Sequence, residues 1–157
     1  MNALTLYRLG NWAHRHGLRY FVSVITKLNY LIFKCYIPGS ATVGRGSKIA
    51  YGGIAVVIHA HSKIGENCVI GQCVTLGAKE GYASSEVLAS PVVEDNVYIA
   101  AGAKLIGGIK IGHSSIIAAN AVVLHSFPPH SVLAGCPAKV RGRTEAGYLA
   151  IRPNGTK

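Results

Sequence analysis

Between residues 93 and 127 an aliphatic side chain returns every six positions, at Val93, Ile99, Leu105, Ile111, Ile117 and Val123. Four residues after each comes Val97, Ala103, Ile109, Ser115, Ala121 or Phe127, most of them small or β-branched. The slot before that second position holds Asn96, Gly102, Gly108, Ser114, Asn120 or Ser126. A period of six fits neither a helical face nor a hairpin meander. It predicts an all-β solenoid in which each hexad is a short strand plus a corner and three hexads close one coil. Val93 is then expected against Ile111, Ile99 against Ile117 and Leu105 against Val123, at about the 4.8 Å spacing of neighbouring strands. The Gly, Asn and Ser residues are expected to carry the left-handed backbone that tight corners need.

The beat begins at Ile37 or Val43, runs through Ile49, takes in three extra residues, and resumes at Ile58, Ile64, Ile70 and Leu76. It lapses over residues 78–91 (AKEGYASSEVLASP) and restarts in phase, which predicts a loop extruded from one corner. Pro128-Pro129 is expected to end the coil, because it removes two backbone donors. Ahead of the repeat, residues 3–35 carry a broad apolar stripe, with Gly10 and Gly17 as expected breaks. The division expected is a helical cap over 1–36, the coil over 37–135 and a basic tail over 136–157. Lys27 and Lys34 interrupt the longest apolar run, so a membrane span is not expected. A basic amphipathic contact with the inner membrane face, through Arg15, Arg19, Lys27 and Lys34, is the alternative to a plain cap.

The chain of 157 residues suggests one domain, and its apolar content of 50% argues against disorder. Sixteen Lys and Arg against six Asp and Glu give a net charge of +10, which points to an anionic partner. The aromatic residues are mostly N-terminal and not interleaved with the basic residues of the repeat, so nucleic acid is not the partner expected. Cys35, Cys68, Cys73 and Cys136 form no C-x-x-C and read as reduced packing residues, which together with the absence of a signal-peptide pattern suits the cytoplasm. Flat aliphatic faces on a three-sided coil favour packing about a three-fold axis, with ligand clefts between neighbours, so a homotrimer is expected.

The stretches LYRLGNWAH (6–14), VIGQCVTLGA (69–78) and PVVEDNVYIAAGAKLIGGIKIGHSSIIAANAVVLHSFPPHSVLAGCPAKV (91–140) resemble the serine acetyltransferase group of hexapeptide-repeat acyltransferases. That resemblance implies a left-handed parallel β-helix and acetyl-CoA as donor. It also implies CoA-contacting positions at Gly77, Ala78, Ala101, Gly102 and Ala119, while Lys139 and Arg141 are placed to meet the CoA phosphates. The chain departs from the group at two places. Ala50-Tyr51-Gly52 stands where its Asp-His pair would fall, and Ser90 stands where a second histidine would align. The shortened form resembles small O-acetyltransferases of surface-polysaccharide and capsule synthesis, which implies a sugar hydroxyl as acceptor. The alternatives are a serine O-acetyltransferase without its helical domain, a non-catalytic trimeric scaffold, and a γ-carbonic-anhydrase-like zinc protein resting on His125 and His130.

Acetyl transfer to a hydroxyl needs a base, and an imidazole near its ordinary pKa suits the task. Of the seven histidines, His14 and His16 read as solvated, His113 as a surface corner and His130 as ordering the chain end. His59 occupies a position held elsewhere by Gly65, Gly71, Gly77, Ala100, Gly112 or Ala118. An imidazole there breaks a local rule, as functional residues do, so His59 is the first candidate for general base. His61 is the second, although its hexad position could make it a turn residue. No metal is expected at the site.

Overall fold

A computed structural model describes residues 2–78 and 89–145. Two helices, α1 (Ala3–Arg15) and α2 (Arg19–Phe33), precede β1 (Thr42–Val43), β2 (Lys48–Ile49) and β3 (Val57–Ile58). Then follow β4 (Lys63–Ile64), β5 (Val69–Ile70), β6 (Thr75–Gly77), β7 (Val92–Val93), β8 (Tyr98–Ile99) and β9 (Lys104–Ile106). The series closes with β10 (Lys110–Ile111), β11 (Ile116–Ile117), β12 (Val122–Val123), β13 (Ser131–Ala134) and β14 (Lys139–Arg143).

From β1 to β9 each strand pairs in parallel with the third one after it, and β11 pairs in parallel with β13, so the parallel sheets read β1-β4-β7-β10, β2-β5-β8-β11-β13 and β3-β6-β9-β12. The chain therefore visits three sheets in rotation. The expected stacking is met: Val93 lies opposite Ile111, Ile99 opposite Ile117 and Leu105 opposite Val123. One buried column per sheet results, such as Ile58, Leu76, Leu105 and Val123, all fully shielded from water. The second hexad column, with Cys68, Val74, Val97, Ala103 and Ala121, fills the space between them. Short strands suffice because each side chain is sandwiched above and below by its equivalent in the neighbouring circuit.

The corners use left-handed backbone at Asn67, Asn96, Gly102, Ser114 and Asn120, as the pattern predicts. Near Gly108 the positive φ of 91° falls one residue earlier, at Gly107, and Ser126 carries none. The three extra residues after Ile49 are absorbed in a short 3-10 turn, Ala50–Gly53, where Tyr51, Gly52 and Gly53 all have positive φ.

Several expectations are corrected. Gly10 does not break α1; it is buried there, and a Cβ built on Gly39 would lie 2.6 Å from its carbonyl oxygen. The close approach of helix and chain needs the hydrogen at Gly39, while Gly17, at φ 72°, makes the break between the helices. Pro128-Pro129 does not end the coil. Phe127 bridges Ile111 just before the prolines, and β13 just after them pairs with β11 in register. A lost donor costs little at a corner, where the ladder is interrupted anyway. The parallel stack ends instead at β14, which turns back antiparallel on β13. Lys139–Arg143, within the segment expected as a basic tail, are thus strand residues. Cys73 and Cys136 are exposed, so only Cys35 and Cys68 are packing residues; all four are free thiols.

The helices close the first circuit. Ala3, Leu4 and Tyr7 of α1 join the same core as Ile37, Ala41, Val43 and Ile49. The Tyr7 hydroxyl donates to the Ala41 carbonyl at 2.8 Å and accepts from the Val43 amide at 3.0 Å. α2 packs on α1 and buries only Asn29 fully, leaving most of its surface outward. Among the described residues no helix is long and apolar enough to cross a membrane. Of the expected loop 78–91, residues 79–88 lie outside the described residues, as do 146–157 of the expected tail. β4, β7 and β10 form one sheet across that segment, so the beat does resume in phase.

Candidate active site

His59 follows the last residue of β3, and its amide donates to the Leu76 carbonyl at 2.8 Å. That bond sets the imidazole beside Gly77, the next residue of the neighbouring circuit, and near the Ala78 that follows. A Cβ built on Gly77 would lie 3.1 Å from Ile106 Cδ1, so the next circuit's isoleucine covers this residue. His59 is half-buried, and its Nδ1 lies 2.8 Å from the Ser90 hydroxyl oxygen. Ser90 precedes Pro91, whose carbonyl accepts from the Lys63 amide at 3.0 Å. Regular ladder bonds on both sides thus hold the pair, although 31 positions separate the two residues in the chain.

His61 lies on the same corner with its ring centroid 5.6 Å from that of His59, and it is exposed. It is the turn residue its hexad position suggested: Ala60 and His61 make a turn closed by the Ser62 amide on the His59 carbonyl at 3.0 Å, without positive φ at His61. Its amide points at His59 Nδ1 from 3.4 Å, at the outer limit of a hydrogen bond. Burial holds the His59 pKa below its ordinary value of 6.5, and the nearby His61 lowers it further. A neutral imidazole at neutral pH is the form a general base requires. A hydroxyl can donate or accept, so in the tautomer with the proton on Nδ1 that N–H donates to the Ser90 hydroxyl, at the expense of the long His61 contact, and the Nε2 lone pair is left for another group.

The remaining candidates gather elsewhere. Ala101, Gly102 and Ala119 lie on the corner between the second and third sheets, where the Asn120 amide donates to the Ala101 carbonyl at 2.9 Å. Lys139 and Arg141 are exposed on β14, and the Ala138 amide beside them bonds the Val122 carbonyl at 2.8 Å. Those five residues therefore share one edge of the coil. His59, His61, Gly77, Ala78 and Ser90 share the next corner along the chain. The histidine reasoning overlooked Ser90, though its alignment with a family histidine was a signal that could have found it. His130 does order the chain end: its Nδ1 lies 3.3 Å from the Thr144 hydroxyl, and its ring meets that of His113 edge-on at 5.1 Å. His125 is exposed, and no cluster of three or more His, Cys, Asp or Glu suited to a metal occurs among the described residues.

Residues 90–125 match the family model "Bacterial transferase hexapeptide (six repeats)". The chain is 32% identical over 145 residues to the serine acetyltransferase of Escherichia coli K12, covering 92% of this chain and 52% of that protein. To the Bacillus subtilis serine acetyltransferase it is 31% identical over 140 residues, covering 89% and 63%. Among solved structures, a Vibrio cholerae serine acetyltransferase superposes with a TM-score of 0.84 at 31% identity, over 94% of this chain and 56% of that one. A Brucella abortus serine acetyltransferase in complex with coenzyme A superposes with a TM-score of 0.83 at 32% identity, over 91% and 56%. The chain thus spans between half and two thirds of the length of these curated relatives. It carries the hexapeptide repeat of bacterial transferases, and serine acetyltransferases are its relatives over nine-tenths of its length.

Proposed function

We propose that this protein is an acetyl-CoA-dependent O-acetyltransferase with His59 as its general base. The observation that carries the reading is the half-buried His59 imidazole, depressed in pKa and held by Ser90 on the corner that follows β3. The acceptor hydroxyl gives its proton to Nε2 of His59 as its oxygen bonds to the thioester carbonyl carbon. The tetrahedral intermediate then expels CoA as its carbon–sulfur bond breaks, and the imidazolium returns the proton to the leaving thiolate. Gly77 and Ala78, together with Ala101, Gly102 and Ala119, are the positions at which CoA lies close to the backbone. Lys139 and Arg141 meet its phosphates. The donor reading is supported by relatives whose structures contain coenzyme A.

The two groups of residues lie on different corners of one chain, so a site that uses both is built between chains. We read the protein as a homotrimer of left-handed parallel β-helices with the cap over 1–36, the coil over 37–135 and the basic segment over 136–157. Unpaired thiols suit a reducing compartment, and the cytoplasm is the location proposed.

The comparisons favour L-serine as acceptor over the sugar that the shortened form suggested, since the relatives named above are serine acetyltransferases. The sugar reading keeps one specific observation in its support. Residues 50–52 form a tight bend of Ala, Tyr and Gly with no imidazole or carboxylate, where the serine-specific group has its Asp-His pair. Incubation with acetyl-CoA and either L-serine or a panel of hexoses, followed by CoA thiol release, tests both. Release that depends on serine supports the first reading, and release only with a hexose supports the second. No acceptor-dependent thiol from either class overturns the transferase assignment.

A further inference from the structure

We infer that the outer face of α2 docks on an anionic phospholipid bilayer, with a lipid phosphate seated between His14, Arg19 and Lys27. At 100° per residue, Tyr20, Phe21, Val24, Leu28, Leu31 and Ile32 fall within one arc of about 120°. All six are exposed, Tyr20 by 77% and Leu31 by 61%. The opposite side of the helix, with Val22, Ile25 and Asn29, faces the protein. An apolar arc of this kind on a surface helix marks an interaction site rather than scattered exposure.

Two hollows lie along the edge of that arc and share Thr26, Lys27 and Tyr36 as a common wall. The first, of about 380 Å³, is lined by His14, Arg19, Ser23, Thr26, Lys27 and Ser40 among others, a set of cations and hydroxyls suited to a phosphate. The second, of about 440 Å³, is lined by Tyr30, Leu31 and the shared residues and exposes no polar surface. A cationic hollow opening beside an apolar one matches an amphiphile with a phosphate head and a hydrocarbon tail.

Charge selects the bilayer over a second copy of the chain. Residues 1–65 hold eight of the sixteen Lys and Arg and none of the six Asp and Glu. Self-packing of this face would set Arg19 and Lys27 against their own equivalents with no carboxylate nearby to answer them. An anionic leaflet satisfies the apolar arc and the cations at once, each Lys or Arg near the surface adding attraction. The inference needs neither acceptor assignment, and no readout below uses acyl transfer.

The test is co-sedimentation of the full chain with phosphatidylcholine vesicles, with and without phosphatidylglycerol, at low and high salt. The expected result is pelleting with the anionic vesicles that weakens with salt. The double variant Arg19→Glu/Lys27→Glu is expected to reduce partitioning by more than about tenfold. Leu28→Ser/Leu31→Ser should reduce it as well. All four side chains are exposed, and unchanged thermal unfolding of the variants separates loss of docking from loss of fold. Wild-type protein that stays in the supernatant, or that pellets equally on neutral vesicles, overturns the inference. So does binding of inorganic phosphate without vesicle binding, which would make the pocket a soluble-ligand site. A drop in oligomer size by light scattering on Leu28→Ser/Leu31→Ser would assign the face to a protein contact and overturn it too.

Discussion

The hydroxyl of Ser90 and Nδ1 of His59 are 2.8 Å apart, although one residue closes an interruption in the repeat and the other stands inside it. The pair gives the base a fixed ring orientation. Replacing His59 with Ala should lower kcat by about 10²- to 10⁴-fold, the usual contribution of a general base, with affinity for acetyl-CoA retained. Ser90→Ala removes the hydrogen bond to His59, and the expected loss in kcat is about tenfold or less. Ser90→Thr keeps the hydroxyl and should recover most of it. Steady-state kinetics of the three variants with KM for acetyl-CoA measured alongside is the check, and near-normal turnover in His59→Ala would remove the base from the mechanism.

The pKa of His59 lies below 6.5 because burial disfavours the imidazolium and His61 sits nearby. A base works in its deprotonated form, so activity should rise with pH through the lowered value and be level above it. The acidic limb of kcat/KM is therefore expected to have its midpoint below pH 6.5. In His61→Ala the neighbouring positive charge is gone, and the limb should move upward toward the ordinary histidine value. A limb already above pH 6.5 in the wild type would contradict the desolvated position of the ring.

The six-residue beat was legible because every interior position is filled by stacking one side chain on its equivalent, so Val93, Ile99 and Leu105 announce their partners 18 residues on. The corners were legible where Asn or Gly is needed at positive φ, as at Asn96 and Gly102. Less visible were features set by tertiary contact. Gly10 reads as a helix break, yet it lies inside α1, where a Cβ would meet Ile25 of α2 at 3.2 Å. The prolines at 128 and 129 read as a terminator, yet they occupy a corner, and the true end is set by β14 folding back on β13. In the site, His59 stood out as a bulky residue at a small position. Its partner Ser90 was marked only by its alignment with a family histidine, because the paired strands around the interruption are what carry residue 90 to residue 59.

Tyr7 joins the helical cap to the first circuit through its hydroxyl, which serves both the Ala41 carbonyl and the Val43 amide. Burial raises the pKa of this phenol, so it stays neutral and able to donate. Tyr7→Phe keeps the ring packing but leaves two buried backbone groups without that partner. The expected cost is about 1–3 kcal/mol in unfolding free energy, measured by denaturant titration. A change within error would mean that α1 is held by its apolar contacts together with Asn11, whose Nδ2 donates to the Gly39 carbonyl at 2.7 Å.

Glu94 joins two circuits at the surface: its carboxylate meets Lys110 Nζ at 2.7 Å and accepts from the His113 amide at 2.8 Å. Both contacts favour the charged form, with Lys110 the larger cause, and its pKa is held below 4.5. Since the folded value is depressed, the stabilisation is present at neutral pH and lost as pH falls through the folded pKa. The lysine side chain is 64% exposed, so the pair itself contributes no more than about 1 kcal/mol. Glu94→Gln should therefore lower stability slightly at neutral pH. The difference from wild type should shrink below about pH 4.5 and vanish once the wild-type carboxyl is protonated. Added salt should remove part of it at neutral pH, because the ion pair is screened while the backbone contact is not. Denaturation midpoints of both proteins across that pH range decide the matter: a difference that persists undiminished in acid would assign the effect to packing of the side chain rather than to its charge.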